Sequence, residues 1–586
     1  MQDGKKRGFS MVRTGKTGFR CYVMDKMEFI SKGAYPMNKV PTLKFERFLL
    51  HQEIEDYLKK LAAAAPGLAE YASIGTSCEG RSIPMVTITD FSTGPAADKP
   101  AFLIFGNVHA DELSGSQVAL YNAWKLVRDH KPGDILSKVA FYVIPRTNPD
   151  GAEFSLTATG VIRSAMHHTE PPAPNTIIQQ DINGDGMILQ MRIPNPNGNY
   201  ACHPKDKRLM ILRTEKTPGP YYEVYPEGLI HDWDGSFDLA LEGRSVDWNR
   251  NWSYDWRPEP KQWGAGDFPF SEPEMRCLAE FMFSHRNIFQ VLSYHTGGRR
   301  ILRAPSSGSD ADIAFADLKR YKELAEELSK IFDFPISPVY QYRKAGDPDL
   351  SLGGHFHNFG YRHLGLFAFE VELGQMCDEA EMYYDLDKDG KDYQMNTDWN
   401  EKYCWVLKWQ DEHPDQPKPF VPWKKFKHPQ LGWVEIGGPC PKVLRNHPMK
   451  RLKTISEHSQ TAVLKLAGYH PEAEITNLEV APMGGDVWRI RGEAINSGIL
   501  STSVTDLGKG LKKFPVPRAE LHLADGVKLL SRRGSIQLGH MDRIGSWVRP
   551  VMLEWFVSAP AKSRVLGEIR LAAGTGGTKV CKLRKK

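Results

Sequence analysis

The 586-residue sequence is poor in cysteine, and its eight cysteines never form a C-x-x-C pair. That excludes a disulfide scaffold and a zinc-thiolate motif, and leaves reduced structural thiols as the expectation. No run of about 18 apolar residues occurs, so no transmembrane segment is expected. Met1 to Lys16 is polar and basic, with no apolar stretch of roughly 7–15 residues behind it. No secretory signal is visible, so the default expectation is a cytoplasmic protein, exported only if the start site is misassigned. No H-E-x-x-H is present, which excludes a zinc site of that helical kind. Internal repeats and low-complexity segments are missing too.

An excess of one charge is also lacking. The formal net charge of +5 comes from the two ends. Residues 1–40 carry nine basic and three acidic residues, and 579–586 carry five basic and none acidic. The remainder is mildly acidic, 62 basic residues against 68 acidic. No broad basic face follows, so no nucleic-acid partner is expected. Both basic ends read as solvated tails. Hydrophobic residues at 41% and charged residues at 25% exclude a mainly disordered chain.

What is there is an α/β rhythm. Phe45–Ala64, Leu113–Val127 and Ala311–Phe332 have helical apolar spacing. Glu272–Ser284 reads as another helix, opened by a Ser271/Glu274 capping box. Pro84–Thr89, Ala101–Val108, Val139–Ile144, Ile288–Tyr294 and Leu366–Val371 read as buried strands. Strands interleaved with helices indicate a sheet covered on both faces. Residues 155–265, rich in Pro, Gly, Asn and Asp, read as long insertions on the rim. Beyond residue 470 the pattern changes to short alternating runs between turns, an all-β sandwich-like module. The expected organisation is an extension over 1–44, a catalytic domain over 45–465 and the β module over 470–586.

The chemistry lies at three strand ends. One apolar run ends in His109-Ala110-Asp111-Glu112, a second in His295, and a third in Glu372-Leu373-Gly374. In open α/β sheets the carboxyl ends of strands are where active sites form. His109 and Glu112, three apart at a strand-to-helix turn, can face one ion, and His295 would complete a His₂Glu set. Such a set leaves a fourth position for water, as in catalytic zinc, and Glu372 could take the water's proton. A second H-x-x-E, His167/Glu170, follows no strand and reads as surface loop. Asn148-Pro149-Asp150-Gly151 by itself is a turn. The Asn249-Arg250 pair could grip a carboxylate or be structural.

In this order, the segments resemble the zinc carboxypeptidases of the carboxypeptidase A type. The matching set is His109-x-x-Glu112, Asn-Pro-Asp-Gly, Asp247-x-Asn249-Arg250-Asn251, Ser293-Tyr294-His295 and Glu372-Leu373-Gly374. The Asp181–Gly186 loop, Gln190-Met191-Arg192 and the 428–438 segment fit a bacterial-type branch with long insertions. The resemblance spans about residues 45–465. It implies a mixed central sheet with helices on both faces, ahead of the C-terminal β domain read from the pattern beyond residue 470. It also implies one catalytic Zn²⁺ on His109, Glu112 and His295, and Glu372 rather than Glu370 as general base. Asn249 and Arg250 would hold the terminal carboxylate of a peptide or protein substrate. Arg163 would stabilise the oxyanion, with Arg192 as second choice. The family's mobile tyrosine has no counterpart before Leu350-Ser-Leu-Gly-Gly; Tyr340 and Tyr342 lie further upstream. The loop Gly353-Gly354-His355-Phe356-His357 lacks the acid that favours a basic side chain, so a neutral or aromatic one is expected.

Asp181-x-Asn183-x-Asp185-Gly186 and Asp385-x-Asp387-x-Asp389-Gly390 copy the start of a calcium loop. Arg192 and Asn396 stand where the twelfth-position Glu belongs. Both are candidate Ca²⁺ sites or plain Asp-rich turns. The leading functional expectation is a zinc metallocarboxypeptidase. A zinc amidase or deacylase on a small N-acyl amino acid or cell-wall peptide, and a non-catalytic peptide-binding protein, are the alternatives.

Overall fold

The computed structural model describes residues 40–158, 160, 162–167, 171–343, 352–384, 399–512 and 514–585. Its centre is an eight-stranded sheet. In chain order the strands are β1 (Ala69–Thr76), β2 (Ser82–Ile88), β3 (Ala101–Gly106), β4 (Ala140–Ile144), β5 (Ile288–His295), β6 (Arg299–Arg303), β7 (Ile336–Pro338) and β8 (Phe367–Leu373). In space they run β1-β2-β4-β3-β5-β8-β6-β7. The four strands β4, β3, β5 and β8 are mutually parallel, and the flanking pairs β1–β2, β2–β4 and β8–β6 are antiparallel. The sheet is therefore mixed. Strands β3, β4 and β5 are buried from end to end and β8 at every position but Glu372, which is why they read as apolar runs rather than alternating ones.

Helices α1 (His51–Ala64), α2 (Leu113–Arg128), α3 (Pro149–Thr157), α4 (Pro273–Ser284), α5 (Phe315–Phe332), α6 (Trp399–Glu412) and α7 (Met449–Ala467) accompany the strands. The α4 start differs from the capping-box expectation. Pro273, favoured at a first helical position, opens the helix behind Glu272. Glu274 instead accepts the backbone N–H of Cys78 at 2.8 Å. Among the described residues no helix is long and apolar enough to cross a membrane.

Helix α2 lies directly on the sheet because two glycines meet there. A Cβ on Gly106 would sit 2.7 Å from the Gly115 carbonyl oxygen, and one on Gly115 would sit 2.9 Å from that of Tyr294. Gly115→Val is expected to cost about 1–3 kcal/mol through overpacking and to lower the thermal midpoint by several degrees. Thermal unfolding followed by circular dichroism checks this; an unchanged midpoint would contradict the close approach.

Residues 155–265 are not only loops. Gln190–Pro194, Tyr200–Cys202, Met210–Leu212 and Tyr221–Pro226 join Phe420–His428 and Gly432–Pro439 in a six-stranded sheet with its own apolar core. Strands of three to six residues with half-buried patterns are too short for alternation to reveal. In the Asp181–Asp185 loop, the side-chain oxygens of Asp181, Asn183 and Asp185 accept backbone N–H groups of the loop itself. The Asp385–Gly390 loop lies outside the described residues.

Beyond residue 470 there are two antiparallel four-stranded sheets. Ile490, Leu553 and Trp555 from one, and Ala519, Ile569 and Leu583 from the other, fill a single core. The basic C-terminal run is a correction to the sequence expectation. Thr578–Arg584 is a strand paired with Val565–Ala572, with Leu583 fully buried and Lys579, Lys582 and Arg584 exposed. Lysines on an edge strand discourage pairing with another chain. The module is stitched to the sheet domain. Asp317 of α5 accepts the N–H groups of Asp506 and Leu507, and Thr505 Oγ1 donates to the Gly365 carbonyl.

Candidate functional site

Strand β5 lies between β3 and β8, all three parallel, so their carboxyl ends share one edge of the sheet. Gly106 pairs with Tyr294, and His295 with Glu372. His109 follows β3 by three residues. Asn107, in left-handed backbone at φ 59°, turns the chain there. Its amide Nδ2 donates to the His109 carbonyl at 2.7 Å, and its Oδ1 accepts from Ser116 Oγ at 3.0 Å. Asn tolerates this conformation better than most side chains. Asn148-Pro-Asp-Gly is more than a turn. Asn148 caps α3 by accepting the Gly151 N–H, and its Nδ2 donates to the Ser164 carbonyl at 2.6 Å. Ala110 N–H in turn donates to the Arg163 carbonyl, so the His109 loop and the Arg163 segment are fastened together.

His109, Glu112 and His295 converge. His109 Nδ1 lies 3.0 Å from Glu112 Oε1, His295 Nδ1 lies 3.1 Å from Glu112 Oε2, and the two Nδ1 atoms are 3.1 Å apart. All three side chains are buried. Zinc bonds of about 2.0–2.1 Å at tetrahedral angles place donors about 3.3–3.4 Å apart, so a small outward relaxation accommodates the ion. Two imidazole nitrogens and a carboxylate oxygen are also the right chemistry for it. The other nitrogen of each ring has a carboxylate beside it. Asp247 Oδ1 is 3.2 Å from His109 Nε2, and Glu370 Oε1 is 3.4 Å from His295 Nε2. Such partners would fix which nitrogen faces a bound metal.

Asp247 is a hub. It also accepts from Arg163 Nε at 3.2 Å, lies 3.8 Å from Arg250 Nη2, and caps the Trp248–Arg250 turn through the Asn249 N–H. Burial alone would raise its pKa, but Arg163, Arg250 and His109 hold it well below the usual carboxylate range. Asp247→Ala is expected to weaken metal affinity about 10–100-fold, as loss of such a partner does. Competition against a chelator of known affinity measures this; unchanged affinity would deny Asp247 the orienting role.

Glu112 is likewise kept ionised. Burial opposes the charge, and His109 and His295 outweigh it. Two arginines contact its Oε1, Arg163 Nη1 at 3.2 Å and Arg445 Nη2 at 2.8 Å. Sequence reasoning missed Arg445. It arrives from just before α7, and Asn446 beside it accepts from Ser114 N–H and Oγ at the start of α2. The local sign was the polar run Arg445-Asn446-His447, which follows no strand.

Glu372 differs from its neighbours. Its Oε2 is buried without a hydrogen-bond partner, and a Cβ on Gly297 would come within 3.2 Å of it. Burial first, then the charges of Glu112 and Glu370, push its pKa up to about 7. Glu370, two residues earlier on β8, is held low instead. Burial opposes its charge, while His295, His357 and His355 favour it.

Asn249 and Arg250 are both buried and adjacent to the cluster. Asn249 Nδ2 donates to Glu370 Oε1 at 3.0 Å, leaving a second amide proton. Arg250 Nη1 donates to the Asn249 carbonyl at 2.8 Å. Arg192 is not brought to the site. It lies in the six-stranded sheet, donates to Glu435 at 2.8 Å, and stacks between Tyr222 and Trp423. Tyr340 is in the short helix Val339–Arg343. The Tyr342 side chain, residues 344–351 and Glu170 are outside the described residues, and His167 pairs with Glu272.

Comparison with known proteins places this geometry. The sequence profile of a domain of unknown function matches residues 472–584. Carboxypeptidase B of Astacus astacus is 30% identical over 154 residues, 26% of this chain and 44% of that protein. Metallocarboxypeptidase A of Trichophyton tonsurans is 33% identical over 147 residues, 24% of this chain and 33% of that protein. Carboxypeptidase D of Homo sapiens is 33% identical over 135 residues, 19% of this chain and 10% of that protein. The chain thus spans less than half the length of each of these relatives. Among solved structures, carboxypeptidase A from Helicoverpa armigera aligns at 18% identity and a TM-score of 0.38, over 57% of this chain and 66% of that one. The profile of the zinc carboxypeptidases runs over residues 54–384, more than half of the chain and every strand end described above. The chain belongs to the zinc carboxypeptidase family.

Proposed function

We propose that the protein is a zinc-dependent metallocarboxypeptidase that removes C-terminal residues from peptides or proteins. The observation that carries this is the juxtaposition of the His109/Glu112/His295 donors with Glu372, whose unpartnered oxygen sits one strand away from His295. Zinc held by these donors would polarise the scissile carbonyl and lower the pKa of a water towards about 7.

The remaining work falls to the chain's own groups. Arg250, with the second amide proton of Asn249, binds the terminal carboxylate by charge-assisted hydrogen bonds and so sets which bond is cut. Glu372 takes a proton from the attacking water and returns it to the leaving amine. Burial makes its carboxylate a stronger proton acceptor than an exposed one, which suits the first of these transfers. Arg163 stands beside Glu112, where a cation favours negative charge developing on the carbonyl oxygen.

The test is cleavage of free-acid peptides against their C-terminally amidated forms, with the trimmed ends read by mass spectrometry. Free acids are expected to be cut and amides spared. Equal cleavage of both would favour an amidase reading. Arg250→Ala is expected to raise KM for free acids about 10–150-fold, the worth of about 1.5–3 kcal/mol in charged hydrogen bonds, with a smaller effect on kcat. Steady-state kinetics checks this split.

A further inference from the structure

Behind the candidate zinc site lies a second group of the same kind. Among the described residues two sets of His and Glu side chains bring ligand atoms within 4.8 Å of one another. One is His109, Glu112 and His295. The other is His355, His357 and Glu370, all buried. His357 Nδ1 lies 3.1 Å from His355 Nδ1 and 3.7 Å from Glu370 Oε2. These separations bracket the spacing of about 3.3–3.4 Å that tetrahedral zinc imposes.

The loop that carries the histidines is held rigidly. Gly354 adopts φ 57°, and a Cβ there would lie 2.2 Å from the Arg250 carbonyl oxygen. Its own carbonyl accepts the Trp252 N–H at 3.0 Å. His355 and His357 are thereby presented from beneath Asn249 and Arg250 to the strand that bears Glu370.

Charge balance is the second argument, and it rests on the reading of His295 as a zinc ligand. A ligating imidazole is neutral. Glu370 then becomes a buried carboxylate in contact with His295 Nε2, Asn249 Nδ2 and His357 Nδ1, all neutral groups. A buried anion without a counter-charge is costly. Two imidazole nitrogens facing each other and the carboxylate offer a place for that counter-charge.

We propose that His355, His357 and Glu370 form a second metal site, for a divalent transition cation of the zinc or cobalt class. The ion would neutralise Glu370 and fasten the 353–357 loop to β8 under the carboxylate-binding pair. Two imidazoles and a carboxylate suit zinc and cobalt better than magnesium or calcium, which prefer all-oxygen shells.

Metal content of the full-length protein, after loading with zinc and dialysis, separates this site from the first. Two equivalents per chain in the wild type, falling to one in His357→Ala and to one in His109→Ala, are expected. One equivalent in the wild type, kept in His357→Ala and lost in His109→Ala, overturns the second site and leaves the catalytic reading intact. One equivalent lost in His357→Ala and kept in His109→Ala supports the second site and sinks the first. If a variant fails to fold, titration of the metal-free wild type with Co²⁺ decides. Tetrahedral absorption that rises to two equivalents supports the proposal, and saturation at one overturns it.

Discussion

Glu372→Gln is expected to keep its metal and lose activity, kcat falling about 10²–10⁴-fold with little change in KM. Glutamine has the shape of glutamate and leaves the strand pairing of β8 with β5 and β6 untouched. It cannot accept the proton of the attacking water. Glu370→Gln is the control. Glu370 Oε1 is engaged by His295 and Asn249, and its Oε2 faces His357 rather than the His109/Glu112/His295 donors. If Glu370→Gln abolished turnover and Glu372→Gln did not, the base would be Glu370.

The pH profile gives an independent reading. Glu372 acts as a base only when deprotonated, and its pKa is raised to about 7 by burial and by Glu112 and Glu370. The acid limb of kcat/KM therefore falls as pH drops through that region, tenfold per unit below it. A dication on His109 and His295 opposes the raising charges and moves the limb to lower pH. Glu372→Gln should lack the limb altogether. A limb that persists unchanged in that variant would belong to another group.

Parts of this site were legible in the sequence because of where they sit. Central parallel strands are largely apolar runs, so polar residues at their carboxyl ends stand out, and His109 and His295 are found that way; Glu372 is told from Glu370 only by the Glu-Leu-Gly that the resemblance brings. The Asn249-Arg250 pair was visible as a pair, but its partner Asp247 was seen only as part of a motif. Its grip on His109, Arg163 and the Asn249 N–H is a matter of three dimensions. Arg445 was beyond reach. It meets Glu112 across 333 residues, and no local periodicity marks a contact at that distance. The His355/His357/Glu370 set was hidden differently. Its members appeared as loop composition and as a rival base, and only the packing of Gly354 against Arg250 puts them together. In the fold, Thr578–Arg584 was concealed by its own lysines, whose charge suggested a tail although Leu583 anchors a strand. The six-stranded sheet was concealed by brevity.

His109→Ala is expected to remove one equivalent of zinc and to abolish measurable turnover while the protein stays folded. The size of the effect follows from the ligand count. Loss of a supporting partner costs about 10–100-fold in affinity; loss of one of three direct ligands costs more, and leaves only His295 and Glu112. Folding should survive because each buried charge keeps other partners. Without His109, Glu112 still meets His295, Arg163 and Arg445. Asp247 still meets Arg163, Arg250 and the Asn249 N–H. The wild type should behave in parallel under chelation. Its three donors lie within hydrogen-bonding reach of one another, so stripping the metal need not unfold the chain, and added zinc should restore turnover. Because zinc binds the folded chain, excess over the dissociation constant raises stability, by about 2.7 kcal/mol at a hundredfold excess. That gain is read as a rise in thermal midpoint, which His109→Ala should show reduced. Full zinc content with undiminished turnover in His109→Ala would remove His109 from the metal site, and the convergence at Glu112 would need another purpose.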